Sequence, residues 1–155
     1  MSEYQYYEFL AIDRSLTESE MRELRAISSR AEITPTGFSN EYNYGDLSGD
    51  PESILLRYFD LFVYVANWGT RRFAMRVPSD AVAWDEIAPY CDGMNVSARR
   101  TDEHVVVDQL NDPEDWDAGW AEGEGWMARL AGVRQEFLGG DMQCLYLAWL
   151  LYAGG

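Results

Sequence analysis

Apolar and polar residues alternate in several short runs of this chain, and turn residues separate the runs. The first run, Tyr4 to Ile12, is aromatic and roughly alternating, which predicts a β-strand. The clearest hairpin is predicted in FVYVANWGTRRFAMRV, which places Asn67-Trp68-Gly69 at its tip. A second hairpin is predicted in MNVSARRTDEHVVVDQL, with its turn near Thr101-Asp102.

Helices are predicted where apolar residues recur at helical spacing behind a capping residue. Thr17 and Glu20 have the spacing of a capping box, so a helix is expected to begin there. Asp50 followed by Pro51 marks the start of a second helix. The run AVAWDEIAPY is expected to form a short helix between the two hairpins.

Two further helices are expected near the C-terminus. One runs from Gly125 to about Leu138 and is ended by Gly139-Gly140, and the last starts at Asp141. Pro35 lies in an ambiguous stretch and argues against a central strand, so an edge strand or an extended segment is expected there.

The order of these elements predicts an α+β fold in a single domain spanning residues 1–155. The strands cluster in the middle, which favours an antiparallel-rich sheet with helices packed on one face. A ferredoxin-like arrangement is one candidate topology, followed by the two helices at the C-terminus.

Composition narrows the classes of function. The chain has 155 residues, is 47% hydrophobic and carries a net charge of −15, so it can bury a core but repels nucleic acid and anionic lipid. Its 12 basic residues are all arginine, a usage typical of GC-rich genomes, and Asp and Glu are nearly even, which argues against a salt-loving source.

The remaining composition argues against several kinds of site. Two cysteines and one histidine are too few for a Cys/His zinc centre, and no phosphate-binding loop motif occurs. The N-terminus lacks the pattern of a signal peptide, and the longest apolar stretch, Cys144 to Ala153, is too short to span a bilayer. We therefore expect a cytoplasmic bacterial protein with no cofactor, no bound metal and no membrane partner.

Four segments, YQYYEFLAIDR, ITPTGF, GDP and YVANWGTRRFAMRVP, resemble those of a family of bacterial proteins that has no established activity. The ANWGTRR segment is the most specific part of the resemblance. The members are longer and continue into an acidic, Pro-rich region, which implies that this chain is a shortened form or the N-terminal part of a longer architecture. The resemblance supplies no catalytic residues.

The first candidate site is the hairpin that carries Arg71 and Arg72. Because neighbouring strand residues point to opposite faces, Arg71 is expected on the core side with Phe73, where it forms a structural ion pair or binds an anion. Arg72 is expected on the solvated side, available to a partner. Trp68 at the tip is a candidate anchor for a partner.

The second candidate is the acidic tryptophan segment, Thr101 to Trp126, which holds nine carboxylates and no basic residue except His104. One interpretation is a solvated acidic loop whose tryptophans cover the core. The other is an interface that presents aromatic anchors in a negative field, suited to an Arg-rich partner. The candidate partner-binding residues in this segment are Glu114, Asp115, Trp116, Asp117 and Trp120.

Catalysis has little support in the sequence. His104 lies in an apolar strand without a nucleophile motif nearby, and no pair of carboxylates stands out as an acid and a base. The sequence therefore favours a non-catalytic interaction domain with an acidic, Trp-bearing surface for a basic protein. Two alternatives stay open, a nucleic-acid-mimicking inhibitor of a DNA- or RNA-binding protein and an enzyme of unknown reaction.

Overall fold

A computed structural model describes residues 4–43, 49–66, 70–81, 84–91, 96–111, 132 and 134–139. The described strands are β1 (Tyr4–Leu10), β2 (Glu32–Thr34), β3 (Gly37–Asn43), β4 (Leu61–Ala66), β5 (Arg71–Pro78), β6 (Val96–Arg100) and β7 (His104–Asn111). The described helices are α1 (Glu18–Ile27), α2 (Pro51–Tyr58) and α3 (Trp84–Ile87), which a 3-10 helix, Ala88–Tyr90, continues. Residues 134–138 are also helical.

All seven described strands belong to one sheet, in the order β2-β3-β1-β4-β5-β7-β6, and every neighbouring pair is antiparallel. The predicted α+β class with an antiparallel sheet is therefore confirmed, as are both predicted hairpins, β4–β5 and β6–β7. The ferredoxin-like topology is not confirmed. Pro35 lies in the turn between β2 and β3. Strand β2, which precedes it, is an edge strand, as the presence of a proline in this stretch suggested.

The predicted capping box at the start of α1 is present. The Thr17 hydroxyl accepts a hydrogen bond from the Glu20 N–H at 3.1 Å, and the Glu20 carboxylate accepts one from the Thr17 N–H at 3.0 Å. The Arg14 guanidinium donates to the same carboxylate at 2.7 Å. These bonds, with that from Arg14 the largest cause, lower the pKa of Glu20 to about 2.

The C-terminal helices can be followed only in part. Residues 134–138 fall inside the helix predicted from Gly125 to Leu138, and they are helical. The start of that helix, and the last helix predicted from Asp141, lie outside the described residues.

The sequence predicted helices on one face of the sheet, whereas the structure has helices on both faces. Helices α1 and α2 pack on a largely aromatic core that includes Phe9 and Phe62. On the opposite face, Ile87 of α3 and Phe137 pack on an aliphatic core that includes Val63 and Met75. The two cores occupy alternate positions of the same strands.

The reason lies in the central strands, which are apolar on both faces. In β4, LFVYVA, five of six residues are buried, and in β7 three successive valines are buried. A strand covered on one side alternates between apolar and polar residues, whereas a strand covered on both sides is an almost continuous apolar run. The absence of clean alternation was the signal for a second layer of helix.

Asp60 forms a buried polar junction between the two cores. Asp60 is 1% exposed, and it lies between the end of α2 and the start of β4. One carboxylate oxygen, Oδ2, accepts hydrogen bonds from the N–H groups of Ile12 and Asp13, at 2.6 and 2.9 Å. The other, Oδ1, accepts one from Arg76 Nη2 at 2.9 Å.

The helical segment at residues 134–138 attaches to this junction through Arg134, which is 2% exposed. Arg134 donates from Nε and Nη2 to the Arg76 carbonyl, at 3.1 and 2.9 Å. Its Nη2 also lies 3.0 Å from Asp13 Oδ2 and 3.6 Å from Asp60 Oδ1. Asp60 therefore holds the end of β1, the start of β4, β5 and the C-terminal segment in one network.

We expect Asp60→Asn to lower the free energy of unfolding by about 3–5 kcal/mol, because it leaves the guanidinium groups of Arg76 and Arg134 buried without their shared charge. Asp13→Asn is the matched control, since Asp13 also contacts Arg134 but its side chain is 49% exposed. This substitution should lower the free energy of unfolding by no more than about 1 kcal/mol. Urea denaturation at pH 7 measures both, and equal losses would contradict the role given to Asp60.

We also expect the fold to lose stability in acid. Burial raises the pKa of Asp60, but its hydrogen bonds from Asp13, Ile12 and Arg76 outweigh burial and hold the pKa below its ordinary value. The pKa of Glu20 is likewise lowered, to about 2. A lowered pKa gives stability that is complete above roughly pH 4, the unfolded value, and is lost as the pH falls through the folded value.

Urea denaturation between pH 7 and pH 2 tests this expectation. The free energy of unfolding should decline slightly below about pH 6.5, because burial lowers the pKa of His104. It should decline more steeply below about pH 5, and in that range Asp60→Asn should decline less steeply than the unaltered chain. A profile that is the same in both proteins would show that Asp60 does not contribute.

Candidate functional site

A pocket of about 390 Å³ lies on the aromatic face of the sheet, beside the start of α2. We call it the Arg72 pocket; its lining residues are Tyr7, Pro51, Phe62, Tyr64, Arg72, Ser97, Asp108 and Leu110. The register of the sheet places most of them in two adjacent rows that run across the strands. One row is Tyr7, Tyr64, Arg72 and Leu110, and the next is Phe62, Ala74, Asp108 and Ser97.

The side chain of Arg72 extends from its own row to the next row, where it contacts Asp108. Its Nε donates to both carboxylate oxygens of Asp108 at 3.0 Å, and its Nη2 donates to Oδ2 at 2.6 Å. The guanidinium carbon lies 5.5 Å from the centre of the Phe62 ring. Between Phe62 and Asp108 stands Ala74, whose small side chain leaves room for the guanidinium above it.

Two tyrosines form the other wall of the pocket. The ring centres of Tyr7 and Tyr64 are 4.8 Å apart, and the rings are tilted by 58°. Their hydroxyl groups donate to the same oxygen, Oε1 of Gln5, at 3.4 and 2.7 Å. Gln5 is only 7% exposed, so it holds both hydroxyl groups in a buried position.

Helix α2 contributes acidic residues near the pocket. Its N-cap residue Asp50 accepts a hydrogen bond from the Ser53 hydroxyl at 2.9 Å. Its first turn carries Glu52, which pairs with Arg99 of β6 at 3.3 Å. This pair links the helix to β6, the edge strand of the sheet.

Negative charges surround the guanidinium of Arg72. Burial lowers the pKa of Arg72, but the hydrogen bond and charge of Asp108, together with the charges of Glu52 and Asp50, raise the pKa above its ordinary value. A guanidinium in this setting keeps its proton at any physiological pH. Arg72 is therefore not suited to proton transfer.

The face assigned to each arginine of the hairpin is confirmed, but the solvation expected for Arg72 is wrong. Arg71 lies on the face of Phe73, Met75 and Val77, which belongs to the aliphatic core, and it is partly buried. The side chain of Arg72 is 25% exposed and paired with Asp108. The prediction assumed a single core face, whereas both faces of the sheet are covered.

The other predicted site residues are not brought together by anything the structure describes. Trp68, Glu114, Asp115, Trp116, Asp117 and Trp120 all lie outside the described residues. The start of the acidic tryptophan segment is described, and it forms the turn before β7 and β7 itself. Its role as an interface stays a prediction.

Sequence reasoning missed Asp108, although a signal was present. Asp108 and Arg76 each interrupt an apolar run, VVVDQL and FAMRV, and a charged residue in such a run needs a partner. The partner of Asp108 could not be named, because it lies on β5, and β5 and β7 are not consecutive strands.

Comparison with family models, with curated proteins and with solved structures finds no match to this chain. The resemblance to the bacterial family therefore stays a prediction. Within the described ranges, no helix has the length and apolar character needed to cross a membrane. Those same ranges hold no cluster of three or more His, Cys, Asp or Glu side chains that could bind a metal ion.

We expect Arg72→Ala to lower the free energy of unfolding by about 1–3 kcal/mol, because it leaves the largely buried Asp108 carboxylate without its charge-assisted hydrogen bonds. Arg99→Ala is the control, since its side chain is 67% exposed and exposed pairs contribute about 0.5 kcal/mol or less. Urea denaturation of both variants checks this, and equal stabilities would contradict the buried pair.

Proposed function

We propose that this chain is a non-catalytic protein–protein interaction domain of the cytoplasm that binds a basic partner through an acidic, Trp-bearing surface. The observation that supports the proposal is the excess of carboxylates over arginines among the residues that the structure describes. Eleven of the 17 described carboxylates are exposed to solvent.

The described residues contain 17 carboxylates and 11 arginines, and six of these arginines form ion pairs with carboxylates of the same chain. The six are Arg14, Arg57, Arg72, Arg76, Arg99 and Arg134. Arg25 is also engaged, since it donates to the carbonyls of Ser29 and Ala31 at 2.9 and 2.8 Å. The carboxylates outnumber the arginines by 17 to 11 in the described part of the chain, so its surface is acidic overall.

The exposed carboxylates within the described part of the chain are spread over helices, turns and strand ends. They are Asp13, Glu18, Glu32, Glu41, Asp50, Asp80, Asp85, Glu86, Asp102, Glu103 and Glu136. A surface of this sign attracts a basic protein from a distance and repels phosphate backbones. The tryptophans Trp116, Trp120 and Trp68 would supply the aromatic anchors that long-range charge cannot supply.

The binding of a nine-residue arginine peptide, measured by fluorescence anisotropy, tests the electrostatic part of the proposal. Between 50 and 500 mM NaCl the affinity should fall by about tenfold or more, because exposed charges are screened over this range. A nine-residue glutamate peptide should not bind, and neither should a DNA duplex. An affinity for the arginine peptide that is flat with salt, or a clear DNA shift at moderate salt, would overturn the proposal.

The same assay tests the anchors. At least one of Trp116→Ala and Trp120→Ala should cost about 2 kcal/mol of binding while leaving the melting temperature almost unchanged. Trp84→Ala is the matched control, because Trp84 packs against the aliphatic core and its loss should lower stability without weakening the peptide. If both segment variants unfold, these tryptophans are core residues and the interface lies elsewhere.

A further inference from the structure

We propose that the Arg72 pocket binds a small neutral molecule that carries a carboxamide or lactam group on an apolar body. This inference goes beyond the protein–protein interaction proposed above and does not depend on it. It is carried by the size of the pocket, by polar groups that lie side by side in it with hydrogen-bonding capacity to spare, and by the pairing of the two charges in its lining.

The volume of the pocket is that of a small-molecule site. The pocket encloses about 390 Å³, near the lower end of the range of about 300–1,000 Å³ for ligand pockets in proteins. All but one of its lining residues belong to strands β1, β4, β5, β7 and β6, which are consecutive neighbours in the sheet. Because the ladders of the sheet hold these strands, the pocket is formed before a ligand enters.

Arg72 retains donors that the fold does not use. A guanidinium carries five N–H groups in a fixed planar fork. The Asp108 carboxylate takes the N–H of Nε and one N–H of Nη2. Nη1 forms no hydrogen bond with any residue that the structure describes, and it is not sealed from solvent. A carbonyl oxygen of a ligand in the pocket can therefore accept a charge-assisted hydrogen bond from Nη1.

Asp108 and Ser97 supply acceptors beside these donors. The two residues face each other across β7 and β6, so their side chains are neighbours on one face of the sheet. Oδ1 of Asp108 accepts only from Arg72 Nε, which leaves it a lone pair. The hydroxyl of Ser97, a partly buried residue, has no hydrogen bond to the described part of the chain. A donor and two acceptors thus lie next to one another.

This pattern is complementary to an amide group. A carboxamide or a lactam presents an acceptor oxygen next to an N–H donor. Its oxygen accepts from Nη1 of Arg72, and its N–H donates to Asp108 or to Ser97. Hydrogen bonds to charged groups are stronger than those between neutral groups, so the ion pair supplies most of the polar recognition. The apolar body of the ligand lies against Pro51 and Leu110, two partly exposed lining residues.

Charge favours a neutral ligand over an ion. The charged residues in the described lining are Arg72 and Asp108, and they pair with each other. An anion would place a second negative charge beside Asp108, and a cation would place a second positive charge beside Arg72. Either charge would lack a counterion in a partly buried site, which costs free energy. A neutral amide uses both members of the pair and leaves no charge unmatched.

Amide-resolved NMR titration with benzamide tests the inference. Shifts should concentrate at the backbone amides of Arg72, Ser97 and Leu110, and should saturate with a dissociation constant on the order of 1 mM, as expected for so small a ligand. The affinity should not change with the concentration of NaCl, because the probe has no charge to screen. Benzoate and benzamidine have nearly the same shape with a negative or a positive charge, and each should bind about tenfold more weakly or worse.

Variants locate the effect. Ser97→Ala removes a hydroxyl that no described residue uses, so it should leave the melting temperature unchanged and weaken benzamide about threefold. Ser39→Ala is the matched control and should not weaken it, because Ser39 is also a partly buried strand residue but lies on the opposite face, in register with Val63. Arg72→Lys keeps a positive charge beside Asp108 but loses the planar fork, so it should weaken benzamide about tenfold while the domain stays folded.

The inference is supported if benzamide binds more tightly than both ions and if its affinity falls in Ser97→Ala but not in Ser39→Ala. Binding of either ion that is as tight as that of benzamide, equal affinities in the two serine variants, or no shifts at the pocket with any of the three probes would overturn it. The serine pair decides even where Arg72→Lys does not fold. The nine-residue arginine peptide tests the acidic surface, so its result leaves this inference unaffected.

Discussion

The buried carboxylate of Asp60 joins parts of the chain that strand pairing alone leaves apart. It accepts main-chain hydrogen bonds from the segment after β1 and a side-chain hydrogen bond from Arg76 of β5, and Arg134 lies against it from the C-terminal segment. A buried charge is tolerated only when its partners are held in place. The network therefore fixes how the helical layers meet the sheet on both of its faces.

Strand β5 carries two arginines, Arg72 and Arg76, and each of them binds polar groups on the aromatic face of the sheet. Arg76 completes the junction at one end of β5, and Arg72 forms the floor of the pocket at the other. Each occupies a position where alternation would call for an apolar side chain, and each is matched by one aspartate. Two of the described arginines, Arg76 and Arg134, are buried, and the acidity of the surface reflects the excess of carboxylates over arginines in the sequence.

Local signals were enough to predict most elements, and the failures came from long-range packing. The capping box at Thr17 and the strand that carries Arg71 are read from a few neighbouring residues, and both are confirmed. The burial of Arg72 and its pairing with Asp108 depend on β7 lying beside β5 and on a helix layer covering each face. Neither could be inferred from the spacing of residues, because the local sequence does not determine which strands become neighbours in the sheet.

The bond between Arg134 and Asp13 joins residues that are 121 positions apart. The sheet can grow largely from pairings of strands close in sequence, which form early because short loops close at little entropic cost. Residues 134–138 leave the ribosome after all the strands that the structure describes, so a nascent chain can form its sheet before Phe137 completes the cover of the aliphatic face. The emergence of this segment, rather than the formation of the sheet, then completes the cover of the aliphatic core and reduces the exposed apolar surface that drives aggregation.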